Sequence, residues 1–294
     1  MVFYGEKNCE QTNCSNKAYF IYEKRHLCGV HSKKYSKQRT PLPKRPKAEI
    51  LKLKNETIQK QKDEIEQARL ENVRLNKHGK VSGHQMRMMK SPNYQRGFLN
   101  VFPNFKHQLR SDGFGCSSLS PMSLGPLLLN GKMLSNNLEN FHQGSKCFSH
   151  ECDALGEPSE VFFKNQSQFF NDSKPHRHKF KSSDKPLFFV WRDETSEKKI
   201  HKLNYFESRQ FYCNFYERLA SETEDFKKLK VLVENGTNVQ ICGYDSREIA
   251  NNKQLESEYL NTKKPFGHEL CLMHMLLTPT PSDYVWRKFK TFQF

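Results

Sequence analysis

Cys9, Cys14, Cys28 and His31 leave the first part of this chain little choice of fold. Their spacing is Cys-x4-Cys-x13-Cys-x2-His, two short ligand pairs held apart by a dozen or so residues. That pattern suits one tetrahedral zinc ion. So short a segment cannot bury enough apolar surface to fold alone, so the metal would supply its stability. With four protein ligands no position stays open for water, which makes the zinc structural. The intervening Ala18-Tyr19-Phe20-Ile21-Tyr22 predicts a strand beside the metal, and His26 is a competing ligand. Residues 1–40 form this module.

The next stretches read differently. Residues 41–46 carry three prolines and form a basic linker that stops any helix continuing from the module. Lys44-Arg45-Pro46-Lys47 has the composition of an import signal and equally of a solvated linker. Residues 47–76 lack Gly and Pro and read as a long helical arm. Leu51, Ile58 and Ile65 recur every seven residues, joined by Ala68, Asn72 and Leu75, a thin coiled-coil seam. Such a seam would make a homodimer; the alternative is a single exposed helix laced by i, i+4 ion pairs. Residues 77–113 read as a flexible basic connector. No acidic residue occurs from Asn72 to Ser111, against Arg74, Lys77, Lys80, Arg87, Lys90, Arg96, Lys106 and Arg110. The net charge is +16, and residues 1–46 hold ten Lys/Arg against three Glu, so nucleic acid is the natural partner of the N-terminal third.

No 18-residue apolar run is present to span a membrane, and the N-terminus lacks the order of a secretory signal. Nine cysteines, several scattered singly, favour a reducing compartment, hence an intracellular, unsecreted protein. At 35% hydrophobic residues and a mean hydropathy of −0.85, the 294 residues are too polar for one tight globule. The 23 phenylalanines are dense after residue 98, which puts the core in residues 114–294. The chain is therefore expected to be α+β: a mainly helical C-terminal domain with a small sheet, a zinc module and a helical arm.

Within that domain Leu138–Phe148 reads as a helix with two faces. Leu138, Phe141, Ser145 and Phe148 share one; Glu139, Gln143 and Lys146 share the other. A carboxylate, an amide and an ammonium in line can form a site, and an ordinary amphipathic helix has the same pattern. Pro126–Leu129 is extended, Asn130-Gly131 a turn, and 149–184 a long polar loop holding His150, Cys152, His176, Arg177 and His178 at spacing too irregular for a second metal. Then follow a strand at 186–192, helices at 205–220 and 226–235, a buried strand at 238–243 ending at Tyr244-Asp245, and a helix opened by Pro265-Phe266-Gly267.

The order Leu119-Ser120, Asn130-Gly131-Lys132, then Glu139-x3-Gln143-x2-Lys146, resembles the NADAR domain, a family of riboflavin-side-product N-glycosidases and ADP-ribose-associated proteins. The resemblance continues through Arg209, Phe226-Lys227-Lys228-Leu229, Val239–Cys242, Asp245 and Gly267–Met273, covering roughly residues 117–278. The chain departs from the family's Asp-x-x-Trp-Gly, with Ser246-Arg247-Glu248 after Asp245, and from its Gly-x-Asn, which becomes Gly267-His268-Glu269. A Cys/His finger ahead of such a domain is also similar to proteins coded by large DNA viruses, and the finger itself resembles a short treble-clef or ribbon-like module. The resemblance implies a ligand of the ribosyl-phosphate or ADP-ribose type. It makes Glu139 and Asp245 the catalytic carboxylates, with Gln143, Lys146, Arg209, Gly267 and His268 binding the ligand. Lys146 and Arg209 would meet phosphate as cations, and the Gly267-His268 amides would cradle it at a helix start. The alternative is a catalytically inactive, zinc-stabilised nucleic-acid-binding or virion structural protein.

Overall fold

The structure, a computed structural model, describes residues 2–86, 94–104, 113–129, 131–178, 185–192, 200–249 and 251–290. Asn130, and with it half of the expected Asn130-Gly131 turn, lies outside them, as do Arg87, Lys90, Lys106 and Arg110. The chain divides into two compact units, one ending at Lys62 and the other beginning at Asp63.

The first unit is built on β1 (Phe20–Tyr22), β2 (Arg25–Leu27) and β3 (Thr40–Pro41), an antiparallel sheet in the order β2-β1-β3. Tyr22 pairs with Arg25 across a two-residue turn, Glu23-Lys24, in which both residues have positive φ. That is the turn hand a tight hairpin requires. Cys9, Leu27 and Cys28 form its small core. The start of α1 (Lys47–Arg74) is tied down by Arg45, which ion-pairs with both Glu6 and Glu49.

The second unit has a four-stranded sheet that is parallel throughout. Its strands are β4 (Val81–Gln85), β5 (Leu99–Phe102), β6 (Phe114–Gly115) and β12 (Val239–Gly243), in the order β4-β12-β5-β6. This corrects the connector expected over 77–113, because β4 and β5 lie inside it. In Val81-Ser82-Gly83-His84-Gln85 only one residue is strongly apolar, so the run does not look like a strand until β12 pairs with it from Val239↔Val81 to Gly243↔Gln85.

Between these strands come β7 (Leu127–Leu129) and β8 (Lys132–Ser135), a hairpin, then α2 (Leu138–Gly144) and β9 (Lys146–Cys147). The helix expected through Phe148 thus stops four residues early. Gly144 lies against α3 (Glu160–Asn171), where a Cβ would come 2.6 Å from Phe169, and Lys146-Cys147 instead pair with β10 (Phe188–Arg192). The polar loop expected over 149–184 contains α3, capped by Ser159 and buried through Phe162 and Phe169. β11 (Ile200–Leu203) completes the sheet β11-β10-β9.

The expected helical core follows. α4 (Tyr205–Ala220) starts in a capping box of Asn204 and Glu207 and buries Phe211, Phe215 and Tyr216. α5 (Glu224–Glu234) is capped by Thr223 and ends before Gly236 at φ +87°. α6 (Asn252–Leu260), α7 (His268–Leu277) and α8 (Val285–Lys288) close the fold. From His268 to Leu276 every residue of α7 is buried. It runs close over the sheet at Gly83, where a Cβ would lie 2.9 Å from Met273 Sδ. The α+β expectation holds.

The α1 seam is divided. Asn72 is buried and donates to Gly236 O at 2.8 Å and Asn238 Oδ1 at 2.9 Å, and Ala68 packs against Gly97. The second half of the seam therefore serves its own domain and is not free to form the coiled coil expected over the whole of 47–76. Ile50 and Leu51, nearer its start, are exposed.

Candidate active site and metal centre

Cys9, Cys14, Cys28 and His31 come together in the first unit, their ligand atoms all within 4.8 Å of one another. Zinc bond lengths in a tetrahedron put S···S edges at roughly 3.8 Å and S···N edges at roughly 3.5 Å. The structure has Cys14 Sγ to Cys28 Sγ at 4.0 Å, and His31 Nδ1 at 3.4 Å from both Cys9 Sγ and Cys28 Sγ. The four can hold a metal ion such as zinc. The competing His26 is engaged elsewhere, its Nδ1 2.7 Å from Glu10 Oε1. His178, weighed for a second metal, pairs with buried Glu151 at 3.1 Å.

The second unit opens into a cavity of about 930 Å³. Glu139, Gln143, Lys146, Arg209, Asp245, Gly267 and His268, the seven positions singled out in the sequence, all line it. Topology explains the convergence. Asn104 follows β5, Ser120 follows β6 and Asp245 follows β12, and all three line the cavity. It therefore lies beyond the carboxyl ends of the parallel strands, where α/β sheets usually hold ligands.

One wall is a relay. Asn137 caps α2 by accepting from Asn140 N–H at 2.8 Å, and Glu139 N–H is held by Pro121 O at 2.9 Å. Lys146 Nζ donates to Gln143 Oε1 at 2.9 Å, and His178 N–H donates to the same oxygen at 3.4 Å. The amide is thereby turned so that Gln143 Nε2 donates to Glu139 Oε1 at 3.0 Å. Although Lys146 has left the helix, it still reaches the acid through Gln143. Burial pulls the Lys146 ammonium down from 10.5 to about 8; the Glu139 charge resists the fall and Arg177 adds to it.

Two further carboxylates line the cavity. Asp245 Oδ2 and Glu269 Oε2 lie 2.9 and 3.3 Å from the point where Gly267 would carry a Cβ. Burial first, then the Glu269 charge, raises the Asp245 carboxyl above its usual range, against the pull of His268, Arg247 and Arg177. Ser246 fixes the bend after β12 by donating to Ile241 O at 2.6 Å, and Arg247 turns away to Glu258 at 2.8 Å. Tyr212, also in the lining, is buried; burial keeps its phenol protonated, with Cys271, Glu139 and Glu269 adding to the effect.

Arg209 has another task. Its guanidinium donates to Tyr259 O, to Lys264 O at 2.8 Å and to Asn261 O at 3.2 Å, so it clamps the end of α6. A further cation of the cavity lining is Arg177, close enough to act on both Lys146 and Asp245. Sequence reading named Arg177 and Glu269 but gave neither a role in the site.

Compared with protein-family models, curated proteins and solved structures, the chain finds no match. Among the described residues no helix is long and apolar enough to cross a membrane.

Proposed function

We propose that the second unit binds a ribosyl-phosphate or ADP-ribose-type ligand and hydrolyses its N-glycosidic bond. We further propose that the first unit holds a structural zinc and brings the chain to nucleic acid. The observation that carries the enzymatic reading is the convergence of Glu139, Lys146 and Asp245, named from the sequence and its family resemblance, on one cavity beyond parallel strand ends.

N-glycoside cleavage passes through an oxocarbenium-like state, by analogy with O-glycosides, and asks for one carboxylate to stabilise that charge or activate water and an acid for the leaving base. Glu139 is held for the first role by the Lys146–Gln143 relay. Asp245 suits the second, because burial and Glu269 favour its protonated form. Lys146 and Arg177 supply positive charge for phosphate. Aromatic rings of Phe189, Tyr205 and Phe266 also line the cavity and offer faces for a base. The test is incubation of the full chain, and of Glu139→Gln, with ADP-ribose conjugates and ribosylamino-pyrimidines. We expect turnover by the wild type and a loss of about 100-fold or more in the variant. No turnover, or equal turnover, removes the enzymatic reading.

The first unit exposes Lys7, Lys17, Lys24, Arg25, Lys33, Lys34, Lys37 and Lys44. Phosphate contacts by these cations would make nucleic-acid binding fall steeply with salt. Binding that stays flat from low to moderate salt would count against it.

A further inference from the structure

His142 lines the cavity beside the Lys146–Gln143–Glu139 relay but takes no part in it. On α2 it stands three residues after Glu139 and one before Gln143, so the helix turns all three side chains to the same side. Among the described residues its ring makes no hydrogen bond and no ion pair; its contacts are aromatic. The ring centroid lies 5.2 Å from that of Tyr212, steeply tilted, and 5.6 Å from that of Phe189. Phe189 in turn lies 6.2 Å from Tyr205. All four rings line the cavity, so they form one continuous aromatic patch on its surface.

Burial first, then the Lys146 charge, holds the His142 imidazole well below its ordinary pKa, and the ring is neutral at physiological pH. A neutral imidazole offers one N–H donor and one acceptor nitrogen. The ring is only partly buried, and neither nitrogen is sealed away without a partner in the manner of His268 Nε2 and Glu269 Oε2. Donor and acceptor are therefore open and unused. A phosphate finds no charge on this patch, and Lys146 and Arg177 elsewhere in the lining suit it better. A pair of sugar hydroxyls would leave most of the ring surface uncovered. A flat heterocycle covers the rings and brings its own donors and acceptors to the imidazole.

We propose that His142 reads the base of the N-glycoside, hydrogen bonding to its edge while Phe189, Tyr205 and Tyr212 pack against it. The proposal rests on the reading of the cavity as a ribosyl-ligand site and gives that site's selectivity among bases to a residue outside the relay. Ribosyl phosphate without its base, one product of hydrolysis, lacks these contacts and is held more weakly.

Calorimetry of the full chain with AMP, GMP, CMP and ribose 5-phosphate tests it. The wild type should bind at least one nucleotide about tenfold or more tighter than ribose 5-phosphate, the scale of one base stacked on aromatic side chains. His142→Phe keeps a ring and removes the donor and the acceptor. It should weaken that nucleotide about three- to tenfold, the size of a neutral hydrogen bond, and level the differences among the three nucleotides, with ribose 5-phosphate bound as before. Tyr205 is 40% exposed, so Tyr205→Ala spares the core and should weaken the nucleotide alone. Nucleotides bound no tighter than ribose 5-phosphate by the wild type overturn the base subsite, and so does a His142→Phe chain that keeps the wild-type preference. Should His142→Phe lose ribose 5-phosphate as well, a nucleotide affinity unchanged by Tyr205→Ala overturns it. Glu139-dependent turnover would stand in each of these cases, so the two readings fail separately. Failure of all four compounds to bind overturns the base subsite outright.

Discussion

Lys146 couples the site to pH. Its ammonium, held near 8 by burial, is the charge that would meet a phosphate, and it also orients Gln143 toward Glu139. Below that value the cation is present; above it the cation is lost. Affinity for inorganic phosphate should therefore be highest below about pH 8 and fall as pH rises through it, while Lys146→Gln binds weakly at all pH. Titration calorimetry between pH 6.5 and 9.5 measures this, and a wild-type affinity level across that range would refute it. Gly243 is a second sensitive point: a Cβ there would lie 2.1 Å from Glu269 Oε1. Gly243→Ala should push Glu269 off its position and cost about 1–3 kcal/mol in urea unfolding. At this scale sequence reading picked Glu139, Gln143 and Lys146 by type and spacing and Asp245 through the family resemblance, and all four line the cavity. It missed Glu269 because an acid in a first helical turn is ordinary dipole chemistry. The clamp that Arg209 makes was not legible, because no pattern in the chain reveals that the carbonyls of residues 258–264 would fold back onto it.

At the scale of elements, α7 governs the C-terminal closure. His274 Nε2 accepts from Val285 N–H at 2.9 Å, and its Nδ1 lies 3.1 Å from Thr278 Oγ1, an arrangement only the neutral ring allows. Burial lowers its basicity from 6.5 to about 4. The unfolded chain takes up this proton below pH 6.5 and the folded chain does not until about pH 4, so stability is lost as pH falls through that window. The loss amounts to about 3 kcal/mol. Urea melts at pH 7 and pH 4.5 should show His274→Gln losing less stability on acidification than the wild type; equal losses would remove the argument. Among the elements, α4, α5 and β12 were legible, since each carries its own period and caps. β4 and β5 were not. Their apolar content is thin, and their pairing is set by β12, far away in the chain. The second half of α1 misled in the same way: Asn72 looks like a polar coiled-coil position and is instead a bond to the Gly236 turn.

For the whole molecule, two compact units imply two responses to metal removal. Among the described residues of the first unit, Cys9, Leu27 and Cys28 form a buried cluster and Ala18 and Leu42 are buried beside it, a core small enough that the fold depends on its ligands being held together. A chelator should unfold the first unit and leave the thermal transition of the second in place, as read by limited proteolysis alongside calorimetry. An N-terminal segment that keeps its protease resistance in chelator would contradict the metal assignment. Another consequence comes from β12 sitting between β4 and β5. During synthesis β4 and β5 leave the ribosome first, and well over a hundred residues must follow before β12 emerges to join them. At ~5–20 residues per second that wait is on the order of ten seconds, with two strand edges open to other chains. The polar Ser82, His84, Gln85 and Asn100 in those strands, which hid them from sequence reading, are what would keep the nascent protein soluble while it waits.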